Sequence, residues 1–131
     1  MLAFRFLEPY SSRLLSVLRI VSGLLFLEHG TVKLLGFPTS MGPLPPLMQF
    51  AGVLELVGGA LLVLGLLTRP VAFIVAGEMA VAYFMSHMPK SVYPAMNGGD
   101  AAILFCFVFL YLSAAGGGAW SLDNAMGKKA D

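Results

Sequence analysis

Long apolar runs, separated by segments rich in proline and glycine, organise this sequence. Four such runs lie at about residues 12–36, 47–67, 70–88 and 100–118. Two separating segments, FPTSMGPLPP and PKSVYPAMNGGD, carry prolines and glycines that cannot continue a helix. The runs lack the alternation of membrane β-strands, and a helix needs about 20 residues to cross a bilayer. The pattern predicts an all-α fold, a four-helix transmembrane bundle, with residues 1–131 forming a single domain.

The composition supports a membrane location. Of 131 residues, 58% are hydrophobic and only 11% are charged, whereas soluble domains carry about 25% charged residues. The mean hydropathy is +0.84. A net charge of +1 without a basic stripe argues against a nucleic-acid partner. The single cysteine, Cys106, excludes an internal disulfide and a CxxC dithiol pair. We therefore expect the lipid bilayer to be the environment of this chain.

The basic residues near the ends of the runs predict the orientation. With four spans both termini share one side, which would hold Arg5, Arg13, Arg69, Lys128 and Lys129. The other side would hold Lys33 and Lys90. The positive-inside rule then places both termini in the cytoplasm. The first run contains Arg19 and lacks an A-x-A-like cleavage site, so we interpret it as a retained helix of a multi-pass protein.

Ionisable residues gather in the half of the runs that this orientation places outside. They are Glu28, His29, Lys33, Glu55, Glu78, His87, Lys90 and Asp100. A charge at the bilayer centre costs about 2.5–3.5 kcal/mol on insertion scales, so such groups normally face protein or water and pair with one another. We interpret the set as a polar site in the outer half of the bilayer.

Helical phase, at about 100° per residue, divides these groups among different contacts. In the first run, Arg19, Gly30 and Lys33 share one stripe. His29 lies at its edge, whereas Glu28 is roughly opposite Arg19. The glycine allows another helix to approach the stripe closely. We expect Arg19 and Glu28 to serve structural pairing with different partners, the arginine with an acid.

The second and third runs complete the predicted site. Glu55 lies on a stripe of small residues, and on an ideal helix Glu78 and His87 project from different faces. One site can thus collect Lys33, Glu55 and Glu78, with the lysine as counter-ion to one acid, but it cannot collect every ionisable group. Either Glu28 or His87 is expected to face a second contact, such as another subunit. A homo-oligomer or a protein partner is therefore the expected state.

Residue chemistry suggests a role for each remaining group. Buried acids and histidines suit proton transfer. The candidate catalytic residues are therefore His29, Glu55 and Glu78. The candidate substrate-binding residues are Lys33, His87 and Asp100. Three alternatives stay open: Lys33 snorkels to the interface, His29 is structural, or Asp100 is the N-cap of the fourth helix. The two histidines form no i,i+4 ligand pair, so no metal site is predicted.

Three segments in order resemble a known family. EHGTVKLLG, AGVLELVGGALLVLGLLTRPVA and NGGDAAILFCFVFLYLSAAGGGAWSLD, within about Leu15 to Asp123, are similar to the DoxX family of small bacterial membrane proteins. The resemblance implies four transmembrane helices and a location in the bacterial inner membrane. Asp100 stands where the family pattern NGGE leads us to expect glutamate, which keeps an acid but shortens it.

The resemblance also suggests a class of function. Some family members are subunits or partners of membrane oxidoreductase systems, including thiosulfate:quinone oxidoreductase and an oxidative-stress complex. It therefore implies a membrane subunit or partner of an oxidoreductase system linked to quinone, sulfur or oxidative stress. A quinone is the candidate cofactor, and whether the chain is itself an enzyme stays open because no redox centre is visible in the sequence. The alternatives are a non-catalytic membrane scaffold and a transporter of protons or a small solute.

Overall fold

The fold is helical throughout the part of the chain that the structure describes. A computed structural model describes residues 4–127. The longest helices are α1 (Ser11–Leu35), α2 (Pro46–Leu64), α3 (Thr68–Ala82) and α5 (Asp100–Ala115). The shorter elements are a 3₁₀ turn (Glu8–Tyr10), a π-helical segment that continues α3 (Tyr83–His87), α4 (Pro94–Asn97) and α6 (Leu122–Ala125). No strand occurs between residues 4 and 127, which confirms the prediction of a helical fold.

The helix boundaries follow from glycines and from one carboxylate. α2 ends before residue 67, the predicted boundary, because Gly65 takes the left-handed conformation with φ of 71° and closes the helix. α3 begins before the predicted residue 70, because the Asp123 carboxylate accepts hydrogen bonds of 2.9 Å from the N–H groups of Leu67 and Thr68. α5 ends at residue 115 rather than 118, where Gly116 has φ of 85°. The Lys128 and Lys129 used for the orientation lie outside the described residues.

Several helices can cross a membrane. Three helical stretches are long and apolar enough: Glu8–Leu35, Pro46–Leu64 and Thr68–His87. Asp100–Ala115 is apolar but shorter. Large apolar side chains cover the outside of the bundle, among them Phe73, Leu104 and Phe107, which are 63–64% exposed. A bilayer shields such a surface from water. The chain is therefore a membrane protein with several apolar helices.

Small residues bring α1 and α2 into backbone contact. A Cβ atom at Gly30 would lie 2.6 Å from the backbone nitrogen of Leu56, and one at Gly59 would lie 2.7 Å from Cα of Leu27. No side chain fits at those distances, so glycine is what permits the close approach. α3 packs chiefly against α5. The two pairs meet in a buried apolar core that includes Phe26, Leu62, Phe109 and Leu112.

The two ends of the bundle are formed by different segments of the chain and bury different polar groups. We call the end with residues 36–45 and 88–99 the loop end, and the end with residues 4–10, 65–67 and 116–127 the terminal end. Along α1 and α5 the core residues Phe26 and Phe109 lie between the two ends. Polar groups buried at one end are thus separated from those at the other by an apolar layer.

Candidate functional site: a polar cavity at the loop end

A cavity of about 320 Å³ opens between the helices at the loop end. Five ionisable residues line it: His29, Lys33, Glu55, Glu78 and His87. Most of the remaining wall is small or apolar, and includes Met48, Ala102 and Phe105. We call it the polar cavity. Apolar walls with a few convergent polar groups are typical of small-molecule sites.

An ion pair between α1 and α2 forms one side of the polar cavity. Nζ of Lys33 lies 2.9 Å from Oε1 of Glu55, and the two side chains are only 12% and 3% exposed. The glycine contacts described above bring the helices close enough for a short bridge. Lys33 therefore does not simply snorkel to the interface, because its ammonium group is held by an acid inside the bundle.

Glu78 brings a second acid to this pair from α3. Its carboxyl interacts electrostatically with both Glu55 and Lys33. Its Oε1 atom is buried and receives no hydrogen bond from any described residue. One lysine and two glutamates are electrically neutral only when one carboxyl carries a proton, and unbalanced charge is costly in an apolar medium. The three residues therefore form a set that is electrically neutral while it holds one proton on a carboxyl.

The two histidines hold defined orientations in the wall. Nδ1 of His29 donates to the Leu25 carbonyl at 2.9 Å, and the ring meets Phe105 edge-on at 5.6 Å. Nδ1 of His87 donates to the Asn97 carbonyl at 2.9 Å. With Nδ1 protonated, Nε2 is the acceptor of each neutral ring. Between residues 4 and 127 no group of three or more His, Cys, Asp or Glu side chains could hold a metal ion.

His87 differs from the expectation of an ideal helix. Helical phase predicted that it projects from a different face than Glu78, yet both line the polar cavity. The reason is the π-helical segment Tyr83–His87, where the N–H of Met88 donates to the Tyr83 carbonyl five residues earlier at 3.0 Å. A π-turn holds more residues than an α-turn, so it rotates the following side chains relative to α3.

Three of the eight ionisable residues predicted to form the polar site, Glu28, Lys90 and Asp100, lie outside the polar cavity, and Lys90 is exposed. Glu28 is exposed on α1 and forms no ion pair within residues 4–127. Asp100 is the exposed first residue of α5. Gly99 occupies the N-cap position there without a side-chain cap, so Asp100 adds only its charge to the first turn.

Comparison with known proteins gives the family. The profile of the DoxX family matches residues 14–88, more than half of the chain. The chain belongs to the DoxX family. This DoxX protein is 46% identical to an uncharacterized protein of Haemophilus influenzae, over 94% of this chain and 98% of the relative. It is 32% identical to an uncharacterized membrane protein of Mycobacterium tuberculosis, over 86% of this chain and 81% of the relative. No solved structure matches it significantly.

The DoxX match includes the cavity residues of three helices. Lys33, Glu55 and Glu78 all fall within residues 14–88, and so do both histidines. The α5 wall of the polar cavity, with Ala102 and Phe105, follows the matched range. The titratable part of the cavity therefore belongs to the family region of this DoxX protein.

Arg19 of this DoxX protein serves the terminal end. It is fully buried, and its guanidinium donates to the carbonyls of Leu62 and Trp120, both at 2.8 Å, and to that of Gly117. The predicted pairing with an acid is thus mainly a set of hydrogen bonds to backbone, with Asp123 as an electrostatic neighbour. We call this arrangement the arginine clamp. It ties α1 to the end of α2 and to the segment after α5.

One residue of the site was missed in the sequence. Asn97 is buried, donates to the Tyr83 hydroxyl at 3.0 Å and to the Ser91 carbonyl at 2.9 Å, and accepts from the Gly99 N–H at 2.8 Å. Its own carbonyl holds His87. The signal was the asparagine before two glycines, a pattern typical of a side chain that organises a turn.

Proposed function

We propose that this DoxX-family protein is a membrane subunit or partner of an oxidoreductase system in the bacterial inner membrane. In this proposal residues 1–131 form one domain of four spans with both termini in the cytoplasm, and the polar cavity lies in the outer half of the bilayer. The observation that supports it best is the meeting of Lys33, Glu55 and Glu78 beside two histidines in one cavity. Such sets suit the proton transfers that accompany membrane redox chemistry.

Each cavity residue receives a role in this proposal. Glu55, Glu78 and His29 handle protons. Lys33 binds a polar atom of the substrate, because its ammonium has three donors and one of them binds Glu55. His87 supplies a further acceptor through Nε2. Asp100 precedes Ala101, which lines the cavity, so we assign it to binding at the mouth.

Electrons would come from a cofactor or a partner. A quinone is the candidate cofactor, and when bound it would supply electron and proton transfer at its ring oxygens. Lys33 would donate to an oxygen of such a group, and Glu78 lines the same cavity beside it. Glu28 supports a protein partner or a second copy of the chain, because an exposed acid on a membrane helix needs a compensating contact.

The test is purification from native membranes. We expect a tagged full-length chain, expressed at its native level, to co-purify with subunits of an oxidoreductase identified by mass spectrometry. Membranes of a deletion strain should lose part of their electron-transfer rate. Wild type and Glu8→Gln, which changes an exposed glutamate at the terminal end, should restore that rate. Glu78→Gln should restore roughly a tenth of it or less, a typical loss for a proton-transfer group. Absence of any redox partner together with unchanged electron transfer would refute the proposal.

A scaffold is the second candidate function. The Lys33–Glu55 pair and the arginine clamp each join helices, as structural charges do. On this alternative, replacing the pair by apolar residues of similar size leaves partner recruitment and electron transfer intact. Transport is less well supported, because the apolar layer around Phe26 and Phe109 separates the polar cavity from the terminal end.

A further inference from the structure

An apolar groove runs along the outside of the bundle between α2 and α3. It has a volume of about 290 Å³, and its wall is almost wholly apolar, with Phe50, Leu54, Ile74 and Val81 among its residues. The groove faces the region that lipid occupies, since Phe50, Ile74 and Val81 are 56–60% exposed. Helices that pack tightly in a membrane leave no such gap, so α2 and α3 are separated here.

The groove and the polar cavity share part of their walls. Glu78, Met48, Ala51, Ala82 and Ser86 line both. The carboxyl of Glu78 interacts with Glu55 and Lys33 on the cavity side, while its helix borders the groove. A molecule lying in the groove therefore contacts residues that also form the wall of the polar cavity.

Gly77 keeps the groove wide. A Cβ atom added there would have no atom within 4 Å, in contrast to the 2.6 Å at Gly30. Gly77 thus makes no close helix contact, and it lines the groove. The absence of a side chain at this position leaves space in the groove rather than allowing helices to pack.

We propose that the groove admits a single-chain amphiphile with an uncharged, oxygen-bearing head from the bilayer, with its head beside Glu78 and its apolar chain between α2 and α3. The groove is apolar and narrow, which suits one chain. Glu78 is the one ionisable residue that lines the groove, and it also lines the polar cavity, so a polar head is best placed beside it. Lys33 and Glu55 already balance each other, so a charged head would leave an unpaired charge at membrane depth.

This inference rests on the proposed function in placing the ligand's head in the polar cavity, but its test needs no redox partner. The probe is a long-chain primary alcohol with a diazirine in the chain and a terminal alkyne. The full-length protein in lipid nanodiscs is irradiated with it, and labelled residues are mapped by mass spectrometry. We expect labelling at Phe50, Leu54, Ile74 and Val81 to exceed labelling at Phe107, which is comparably exposed on α5.

Variants distinguish binding in the groove from nonspecific labelling of the lipid-facing surface. Gly77→Leu fills the groove and should lower groove labelling roughly tenfold, as expected when about two methylene groups of a bound chain lose their contacts. Ala60→Leu adds the same side chain on the outer face of α2, away from the groove, and should change nothing. Val81→Trp narrows the groove from another position and replaces Gly77→Leu if that variant does not fold.

The head is tested with matched probes. A chain ending in a methyl group should label the groove less than the alcohol in the wild type and equally well in Glu78→Leu. A phosphatidylcholine with the same diazirine chain should label the groove weakly. Equal labelling of Phe107 and the groove, unchanged labelling in both occluding variants, or equal labelling by phosphatidylcholine would overturn the inference. Because labelling is independent of the oxidoreductase, either proposal can fail without the other.

Discussion

Lys33 has two acidic neighbours, so the three charged residues of the cavity contribute differently to the stability of the protein. Glu55 pairs with it at 2.9 Å, and Glu78 interacts with both. Removing the lysine leaves two acids facing each other without a cation. Removing Glu55 leaves Glu78 as a replacement partner, and removing Glu78 leaves the ion pair intact. The three substitutions should therefore lower the free energy of unfolding by different amounts.

We expect Lys33→Met to lower the free energy of unfolding by about 3 kcal/mol, the usual result of leaving buried charge unpaired. Glu55→Gln should cost about 1–2 kcal/mol, because Glu78 takes over part of the pairing. Glu78→Gln should cost the least, within about 0.5 kcal/mol of the wild type or on its stable side, because an uncharged amide leaves the Lys33–Glu55 ion pair balanced. The measurement is denaturant unfolding in detergent micelles.

Glu28→Gln is the matched control, since Glu28 is exposed and forms no ion pair within residues 4–127. It should leave the free energy of unfolding within about 0.5 kcal/mol of the wild type. Equal losses for all three cavity variants would contradict the ranking, and so would a Glu78→Gln variant that is the least stable.

At the scale of elements, two glycines within membrane helices have opposite packing. Gly30 lies where α1 meets the α2 backbone, whereas a Cβ atom at Gly77 meets nothing. The first is required for the helix contact that positions Lys33 against Glu55. The second is free of close contacts and lines the groove.

Gly30→Ala should therefore destabilise the protein by about 1–3 kcal/mol, because its methyl group forces α1 and α2 apart. Gly77→Ala should be neutral or stabilising by up to about 1 kcal/mol, because alanine favours the helix and meets no neighbour. Thermal unfolding of both variants in the same detergent measures the difference. A loss at position 77 as large as that at position 30 would show that α3 packs differently.

The sequence analysis succeeded where an ideal helix is a good description. Regular phase put Lys33 on a glycine stripe and Glu55 on a stripe of small residues, and the structure joins the two in an ion pair. It failed for His87, since a π-turn has no simple sequence signature and changes the phase. It also missed the partners of Arg19, because backbone carbonyls are present at every residue and carry no pattern.

At the scale of the whole molecule, the orientation gives different reagents access to the two ends. The loop end carries the polar cavity and the terminal end carries the arginine clamp. If the termini are cytoplasmic, Ser40 faces the outside and Asn124 the inside, and both are exposed. The single native cysteine, Cys106, can be replaced by alanine to provide a background without thiols.

In that background, Ser40→Cys should react with a membrane-impermeant maleimide in intact spheroplasts. Asn124→Cys should react only after the membrane is permeabilised. Gel shift of the labelled protein measures both, and total labelling in detergent confirms that each cysteine is accessible. The reverse labelling pattern would show that the protein has the opposite orientation, with the polar cavity on the cytoplasmic side.

The arginine clamp sets an order for the assembly of the protein. Arg19 is synthesised early, and Leu62, whose carbonyl accepts from it, follows soon after. Gly117 and Trp120, whose carbonyls also accept from Arg19, are synthesised only near the end of the described chain. A guanidinium in the first apolar helix therefore lacks two of its four hydrogen-bond acceptors until residues 117–120 leave the ribosome. Closure of the arginine clamp is a late event in biogenesis, and a chain truncated before Gly117 would leave Arg19 with only the α2 carbonyls as acceptors.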